Sequence, residues 1–295
     1  MMADRDPFRE AVAAIDHGDV VVLGALLDAH PTLATDRLES TPEWLREEVG
    51  QAADGFFTRP YLLWFVAEDP VRTGRVPDNV TEVIKRIVAA AGSRNAPTLQ
   101  EQLDTTLRLV CWSGIAAQCG RQLEMIDALL DGGAVPAKNQ NNALVNGHLA
   151  AARHLLARGA TPTLASAVCL DRWEEAARLV EGASPAQRQF ALVLAALNGR
   201  PAGVKWMLEH GSSVNVPSDD LYSHGTPLHH AVCSGSLEAV RALVEAGADL
   251  SRPDTAWHAT PLGWAEHYVE NARPDRKPGY EAIASYLRSP RMRAR

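Results

Sequence analysis

Residues 225–250 read GTPLHHAVCSGSLEAVRALVEAGADL, and this stretch decides the fold. Thr226, followed by a proline, is typical of the start of a helix, and Gly235 indicates where that helix ends. Apolar residues then recur at helical spacing over residues 237–244, which predicts a second helix. The GAD sequence at residues 247–249 predicts a turn after it. Two short helices of this kind carry an apolar face that one pair cannot bury by itself.

The pattern resembles an ankyrin repeat, whose signature is T-P-L-H-x-A followed by a G-A-D turn. The resemblance implies an all-α ankyrin-repeat solenoid, in which each helix pair is stabilised by contact with its neighbours. It also implies a scaffold that binds other molecules and carries no chemistry of its own. The rest of the chain must therefore supply further helix pairs.

The pattern of the second helix recurs along the chain with its glycine or a substitute in register. Matches in register lie at residues 15–31, 120–134, 143–160, 167–183 and 195–211, and a looser match at residues 260–287 forms a final unit. A degenerate unit is predicted from the apolar stretch 59–68 and the helical pattern at 80–91, and residues 40–57 are interpreted as an irregular insertion. Together these stretches predict about seven or eight helix pairs, which are irregular in the N-terminal and middle units.

The sequence predicts a single solenoid over residues 1–290. Its predicted parts are a first unit with the insertion (6–57), a degenerate unit (58–99), short units (100–186), the best-formed units (187–290) and, after them, a basic tail (291–295). Because the spacing from Gly159 to Gly182 is short, it leaves no room for a projecting β-turn. The longer spacing from Gly211 to Gly247 predicts such turns near the C-terminal end.

Composition narrows the possible partners. The chain has 295 residues, of which 46% are hydrophobic, and its formal net charge is -7. The negative charge argues against nucleic acid or an anionic membrane as the main partner. The arginines at positions 288, 291, 293 and 295 are interpreted as a solvated terminus.

Features of the chain also bear on its location. The first residues, MMADRDPFREA, lack the apolar core of a signal peptide, and no apolar run reaches the length needed to span a bilayer. The four cysteines, at positions 111, 119, 169 and 233, show no metal-binding spacing such as C-x-x-C. We therefore expect a reduced, cytoplasmic protein with unpaired thiols. The bias towards Ala, Arg and Gly indicates a GC-rich, bacterial genome.

The resemblance implies a concave binding face lined by first helices and turns. His229 matches the structural histidine of the family, and His230, one residue later, is expected to face the groove. The predicted partner- or ligand-binding residues are Asp220, Tyr222, His224, His230, Trp257, His258, Trp264, Glu266 and Tyr268. Aromatic rings beside His and Asp suit a binding surface, because they offer apolar area with polar groups at its edge. For Trp257 and Trp264, packing between repeats is the alternative.

Glu266 occupies a position that is normally small and packed, so two alternatives stay open. Either the terminal unit exposes its carboxylate, or the group is a buried acid–base residue with a raised pKa. A metal site is not predicted, since the ten histidines show no metal-binding helix motif. Cys233 is interpreted as a small packed residue rather than the partner of a catalytic histidine. No catalytic motif is recognised, and no cofactor is expected.

The sequence therefore predicts a protein–protein interaction scaffold that holds its partner in the C-terminal repeats. The alternative is an enzyme or small-molecule-binding protein, which the aromatic and histidine content of residues 222–268 favours. A closed pocket lined by His230, Trp264, Glu266 and Tyr268 would support that alternative. A third hypothesis is a protein of the toxin-immunity or chaperone type, which masks a basic partner with acidic residues.

Overall fold

Helices make up the regular structure of residues 6–289, the part of the chain that the computed structural model describes. The β-structure within this range is one isolated bridge between Ser218 and Leu221. The predicted all-α fold of helix pairs is confirmed. None of the helices within residues 6–289 has the length and apolar character needed to cross a membrane. The predicted basic tail, 291–295, lies outside the described residues.

The chain divides after Thr161 into two units. The α-helices of the N-terminal unit are α1 (Pro7–His17), α2 (Val20–Ala29), α3 (Thr32–Thr35), α4 (Glu43–Val49), α5 (Val80–Ser93), α6 (Leu99–Trp112), α7 (Gly114–Gln118), α8 (Gln122–Asp131), α9 (Asn139–Val145) and α10 (Leu149–Ala157). Two 3₁₀ helices, Gly50–Asp54 and Leu62–Ala67, lie between α4 and α5. The boundaries predicted inside residues 1–290 stay predictions.

The 3₁₀ helix Leu62–Ala67 is completely buried and packs against α1, α5 and α6. Its sequence, LLWFVA, is apolar throughout, which suits an element that is covered on every side. Phe65 lies edge-on to Phe8 and Phe57, with ring centroids 5.6 Å and 5.1 Å apart. The element predicted as a degenerate first helix therefore forms the centre of this unit's core.

A buried carboxylate, Glu68, follows this 3₁₀ helix. It accepts the backbone N–H groups of Arg72, Thr73 and Gly74 at 2.9–3.1 Å. The Arg72 guanidinium lies 3.0 Å from the Glu68 carboxylate and 2.6 Å from that of Asp16. Burying these charges is tolerated because each has a partner of opposite sign and several hydrogen bonds.

The C-terminal unit repeats one arrangement of paired helices. Its helices are α11 (Leu164–Cys169), α12 (Trp173–Glu181), α13 (Pro185–Leu197), α14 (Pro201–Glu209), α15 (Pro227–Ser234), α16 (Leu237–Glu245), α17 (Pro261–Asn271) and α18 (Lys277–Arg288). The first helices of the pairs, α11, α13, α15 and α17, contact one another in chain order. The second helices α14, α16 and α18 do the same. Each pair is thus buried by its neighbours, as in a repeat stack.

Local signals in the sequence set the ends of these helices. Ser184 and Thr226 each form a capping box. The side chain of the capping residue accepts the backbone N–H of the residue three positions later, whose side chain accepts the backbone N–H of the capping residue. Thr260 caps α17 by accepting the backbone N–H of Gly263. Gly235 ends α15 in the left-handed conformation, with φ 77°, which favours glycine.

The connections between pairs differ in length. Residues 182–184 join α12 to α13, whereas residues 210–226 join α14 to α15 and residues 246–260 join α16 to α17. The isolated β-bridge lies in the first of these long connections. This agrees with the expectation that projecting turns occur near the C-terminal end.

The last helix, α18, and the residue before it dock on the end of α15. Tyr280 donates its hydroxyl to the carbonyl of Cys233 at 2.9 Å, and Arg276 donates to the carbonyl of Ser234 at 2.9 Å. Gly279 lies so close that an added Cβ would be 2.8 Å from a backbone oxygen there. These donors satisfy carbonyls that the helix end leaves without partners inside the helix.

Gly203 lies in α14 where this helix meets α11 and α13. A Cβ atom added here would lie 2.8 Å from Val168 Cγ1 and 3.3 Å from Ala195 Cβ. We expect Gly203→Ala to lower the free energy of unfolding of this unit by about 1–3 kcal/mol, because packed neighbours must shift. Urea denaturation followed by tryptophan fluorescence measures this loss.

A second substitution separates this clash from the other effects of alanine. In a Val168→Ala background the close methyl group is absent, so Gly203→Ala should destabilise the unit less than it does in the unaltered chain. Equal losses in the two backgrounds would contradict the steric explanation.

Candidate functional site

Two successive turns of the C-terminal unit are joined by hydrogen bonds. We call residues 218–226 the first turn and residues 254–260 the second turn. The backbone N–H of Thr255 donates to the carbonyl of His224 at 2.9 Å. His229, on α15, accepts the backbone N–H of Thr226 on Nδ1 and donates from Nε2 to the carbonyl of Ala259 at 3.1 Å. The structural role that the resemblance implied for His229 is therefore what its contacts provide.

The second turn is organised around the buried carboxylate of Asp254. One carboxylate oxygen accepts the backbone N–H groups of Ala256 and Trp257 at 2.8 Å and 2.6 Å. The other accepts the backbone N–H of Ala259 and the indole N–H of Trp264, both at 3.0 Å. Asp254 thereby fixes the backbone of the turn and the orientation of an aromatic ring on α17.

The protonation of Asp254 reflects this arrangement. Burial by itself favours the neutral acid, but the four N–H donors outweigh it and hold the pKa of Asp254 well below its usual range. The group is therefore a carboxylate at neutral pH. It makes no ion pair with any residue in the described part of the chain.

Five of the predicted site residues form one aromatic cluster. Its members are Tyr222, His224, His230, Trp257 and Trp264. The Trp257 ring centroid lies 5.0 Å from that of His224 and 5.7 Å from that of Trp264. These edge-to-face arrangements are favourable for aromatic rings. The cluster joins residues of both turns to the first helices α15 and α17.

His230 was expected to face the groove, but its side chain is buried. The residue is 2% exposed, because the first turn folds over α15 and places Tyr222 and His224 against its ring. Its Nε2 atom has no hydrogen-bond partner among the described residues. Burial lowers the pKa of His230 to about 4, and the neighbouring histidines add to the effect. A direct role for His230 in binding stays a prediction, and it would require the covering rings to move.

A cleft of about 410 Å³ opens beside the cluster. Its walls are formed by Trp257, Ala259, Gly263, Trp264, His267 and Tyr268. Trp257 is 67% exposed and Tyr222, in the first turn, is 42% exposed. The volume lies within the range of ligand-binding pockets. The predicted residues Trp257, Trp264 and Tyr268 are therefore brought together on one accessible surface.

Tyr268 is held in place by Cys233 and Tyr280. Its hydroxyl donates to Cys233 Sγ at 3.1 Å, and its ring stacks on that of Tyr280 with centroids 4.8 Å apart. Burial raises the pKa of Tyr268. The phenol is thus a neutral, fixed wall of the cleft. Cys233 is partly exposed rather than fully packed.

Three predicted site residues belong neither to the aromatic cluster nor to the walls of the cleft. Asp220 and His258 are exposed in the two turns, and neither lines it. Glu266 is half-exposed and lies 2.8 Å from Arg288 of α18, so its carboxylate is a surface ion pair and not a buried acid. The position is open because, within residues 6–289, no further helix pair follows α17 and α18.

A closed pocket lined by His230, Trp264, Glu266 and Tyr268 would have supported the enzyme alternative. Neither His230 nor Glu266 lines the cleft. In residues 6–289 no group of three or more His, Cys, Asp or Glu side chains is placed to hold a metal ion. All four cysteines are free thiols.

Sequence reasoning missed Asp254 and His267. Asp254 had a recognisable signal, since Asp after Pro253 favours a turn in which its carboxylate accepts backbone N–H groups two and three residues on. His267 was considered only as a metal ligand, and no feature of its sequence context indicated a cleft wall.

Comparisons with known proteins give a family match within the C-terminal unit. The family model for ankyrin repeats, in three copies, matches residues 164–254, which run from the start of α11 to Asp254. No curated protein matches the chain in sequence. Among solved structures, the chain is similar to the human ASB11 ankyrin repeat domain, with 23% identity, 75% of this chain and 96% of that chain covered, and a TM-score of 0.33. The residues that match the family model also form stacked helix pairs of the C-terminal unit, so residues 164–254 contain ankyrin repeats.

Proposed function

We propose that the C-terminal unit binds a protein partner through the two turns and the first helices α15 and α17. Ankyrin repeats are in general protein–protein interaction modules. The contact surface we propose contains Tyr222, Trp257, Trp264 and Tyr268, with Asp220 and His258 at its rim. Its main support is the exposure of Trp257, an aromatic side chain that is 67% accessible on a turn with a fixed backbone.

Large exposed aromatic side chains suit the centre of an interface. Tyr and Trp bury much apolar area with few rotatable bonds, so little conformational entropy is lost when a partner covers them. In this unit the loss is reduced further, because Asp254 holds the backbone of Trp257 and the indole of Trp264 before any partner arrives. Asp220 and His258 are exposed and polar, as residues at an interface rim usually are.

The proposal is tested with the partner that co-purifies from the native host. The double substitution Tyr222→Ala and Trp257→Ala should weaken its binding about 30-fold or more, the loss expected when interface hot spots of roughly 2 kcal/mol are removed. Titration calorimetry of the purified pair measures this change. Both residues are exposed, so the fold should be retained, and circular dichroism checks it.

Trp112→Ala provides a matched control. Trp112 is also an exposed tryptophan, 42% accessible, but it lies in the N-terminal unit at the end of α6. Its replacement should leave partner affinity unchanged. If the partner binds the double variant normally and is lost from Trp112→Ala, the binding surface belongs to the N-terminal unit and the proposal fails.

A further inference from the structure

We propose that the cleft between Trp257, Trp264 and Tyr268 receives a cationic side chain of the partner, namely the guanidinium of an arginine. This inference rests on the proposed binding function and specifies the chemistry that the site recognises. Three observations support it: the aromatic walls, a carboxylate without an ion-pair partner behind one of them, and the lack of Lys or Arg in the lining.

The aromatic walls offer ring faces to a cation. The planes of Trp257 and Trp264 meet at 66° with centroids 5.7 Å apart, so the two rings form adjacent walls rather than a closed stack. Tyr268 on the next turn of α17 is a third wall. A cation within about 6 Å of such ring centroids is attracted by the negative charge of the π-faces, and tryptophan is the most effective ring.

The carboxylate of Asp254 adds a full negative charge. It accepts the indole N–H of Trp264 at 3.0 Å, which places it at the edge of that ring. Arg252, two residues earlier, donates instead to the carbonyl of Asn215 at 2.9 Å and makes no ion pair with Asp254 within residues 6–289. A hydrogen bond from the indole to an anion also raises the electron density of the ring. Both effects favour a cation over a neutral group in the cleft.

The lining itself supplies no such cation. None of its six residues is Lys or Arg, and its single titratable cationic group is the exposed His267. The neighbouring first turn carries Asp219 and Asp220, both exposed, and the whole chain has a net charge of -7. A basic segment of a partner would therefore be attracted to this end of the unit.

The shape of the walls favours guanidinium over ammonium. A guanidinium is planar, stacks on an aromatic face and is less strongly hydrated than an ammonium, so less hydration is lost when it enters an aromatic cleft. A lysine side chain carries the same charge in a compact, strongly hydrated group. We therefore expect arginine to bind more tightly than lysine.

Three tripeptides test this inference on the full chain: N-acetyl-Gly-Arg-Gly-amide, the same peptide with lysine, and the same peptide with citrulline. Citrulline keeps the shape of arginine and removes its charge. The indole N–H signals of Trp257 and Trp264, assigned by substitution, report binding in NMR titrations. We expect a saturable shift with the arginine peptide that weakens at high salt, and an affinity at least about 5-fold lower for citrulline.

Substitutions at Trp257 separate the π-face from apolar contact. Trp257→Leu keeps an apolar side chain but has no ring, and it should lower the affinity for the arginine peptide about 2- to 5-fold, whereas Trp257→Phe should retain most of it. Trp112→Ala should change nothing. Trp257 is exposed, so all these variants are expected to fold.

The inference is overturned if the arginine peptide does not bind, if citrulline or lysine binds as well as arginine, or if Trp257→Leu leaves the affinity intact. Each of these results would leave the partner experiment unaffected. A partner that needs Tyr222 and Trp257, in a chain whose cleft ignores arginine, would show that the proposed surface stands and that the cleft chemistry is wrong.

Discussion

Replacing Asp254 with alanine is expected to lower the free energy of unfolding of the C-terminal unit by roughly 2–4 kcal/mol, because four N–H groups lose their acceptor at once. The donors include the backbone of Ala256, Trp257 and Ala259 and the indole of Trp264. Water can replace part of these hydrogen bonds, since the turn lies at the surface. Urea denaturation of the variant at pH 7 measures the loss.

Asp220→Ala is the matched control for this substitution. Asp220 is an exposed aspartate in the first turn, so its removal should change the free energy of unfolding by less than about 0.5 kcal/mol. Equal stability of the two variants, or an unchanged indole signal of Trp264 in Asp254→Ala, would contradict this role of Asp254.

The stabilisation by Asp254 also depends on pH. Its pKa is lower in the folded chain than the ordinary value for aspartate of about 3.9, so the unfolded state binds the proton more readily. The contribution is therefore complete well above pH 4 and is lost as the pH falls through the folded pKa. The Asp254→Ala variant should lack this part of the acid destabilisation, and its stability difference from the parent should shrink below pH 4.

A second large effect is expected at His230. Its pKa of about 4 in the folded chain lies below the ordinary histidine value of about 6.5, so the unfolded state takes up a proton first as the solution is acidified. Stability is therefore complete above about pH 6.5 and declines as the pH falls towards 4. Integrated over that window, the loss amounts to roughly 3 kcal/mol for this one residue.

His230→Leu should remove this loss and flatten the pH dependence of unfolding between pH 6.5 and 4. His229, whose pKa burial also lowers, would supply a remaining slope. Urea denaturation at a series of pH values measures the difference between variant and parent. A His230→Leu profile parallel to that of the parent would show that the ring is accessible to protons in the folded state.

The repeat signature predicted the helices well because its residues act locally. Thr226 and Gly235 start and stop α15 through hydrogen bonds and backbone conformation within a few positions, and these preferences can be read from sequence. The same reasoning predicted Trp257, Trp264 and Tyr268, which the structure brings together at the cleft. It could also anticipate the structural contacts of His229, since those follow from the family pattern.

The burial of His230 could not be predicted from such local signals. Helical position places His230 on the side of α15 that faces the turns, but it does not say whether a turn covers that side. The cover comes from Tyr222 and His224, in a turn that begins with an isolated β-bridge and contains Tyr222 in a left-handed conformation, with φ 45°. Such a conformation is uncommon outside glycine and is set by the packing around it.

Glu266 and Asp254 also show that burial could not be predicted from local sequence: Glu266 is half-exposed at a normally packed position, and Asp254 is buried in a turn. Alignment with packed positions left a buried Glu266 as one of two alternatives, but Arg288 meets its carboxylate at the surface. Asp254 was not among the predicted site residues, yet it is the buried acceptor of the second turn. Burial in both cases depends on which neighbour lies above the residue, and that is a property of the stack.

The hydrogen bonds from Thr255 to His224 and from His229 to Ala259 have a consequence for how such a surface can be inherited or engineered. The proposed surface is formed by turns of two successive repeats. A single repeat moved into another array would therefore carry only half of this surface and would lack the hydrogen bonds that join the two turns. Deletion of one of these two repeats would remove one of the two turns that form the proposed binding surface. A transplant would have to move residues 218–268 as one block.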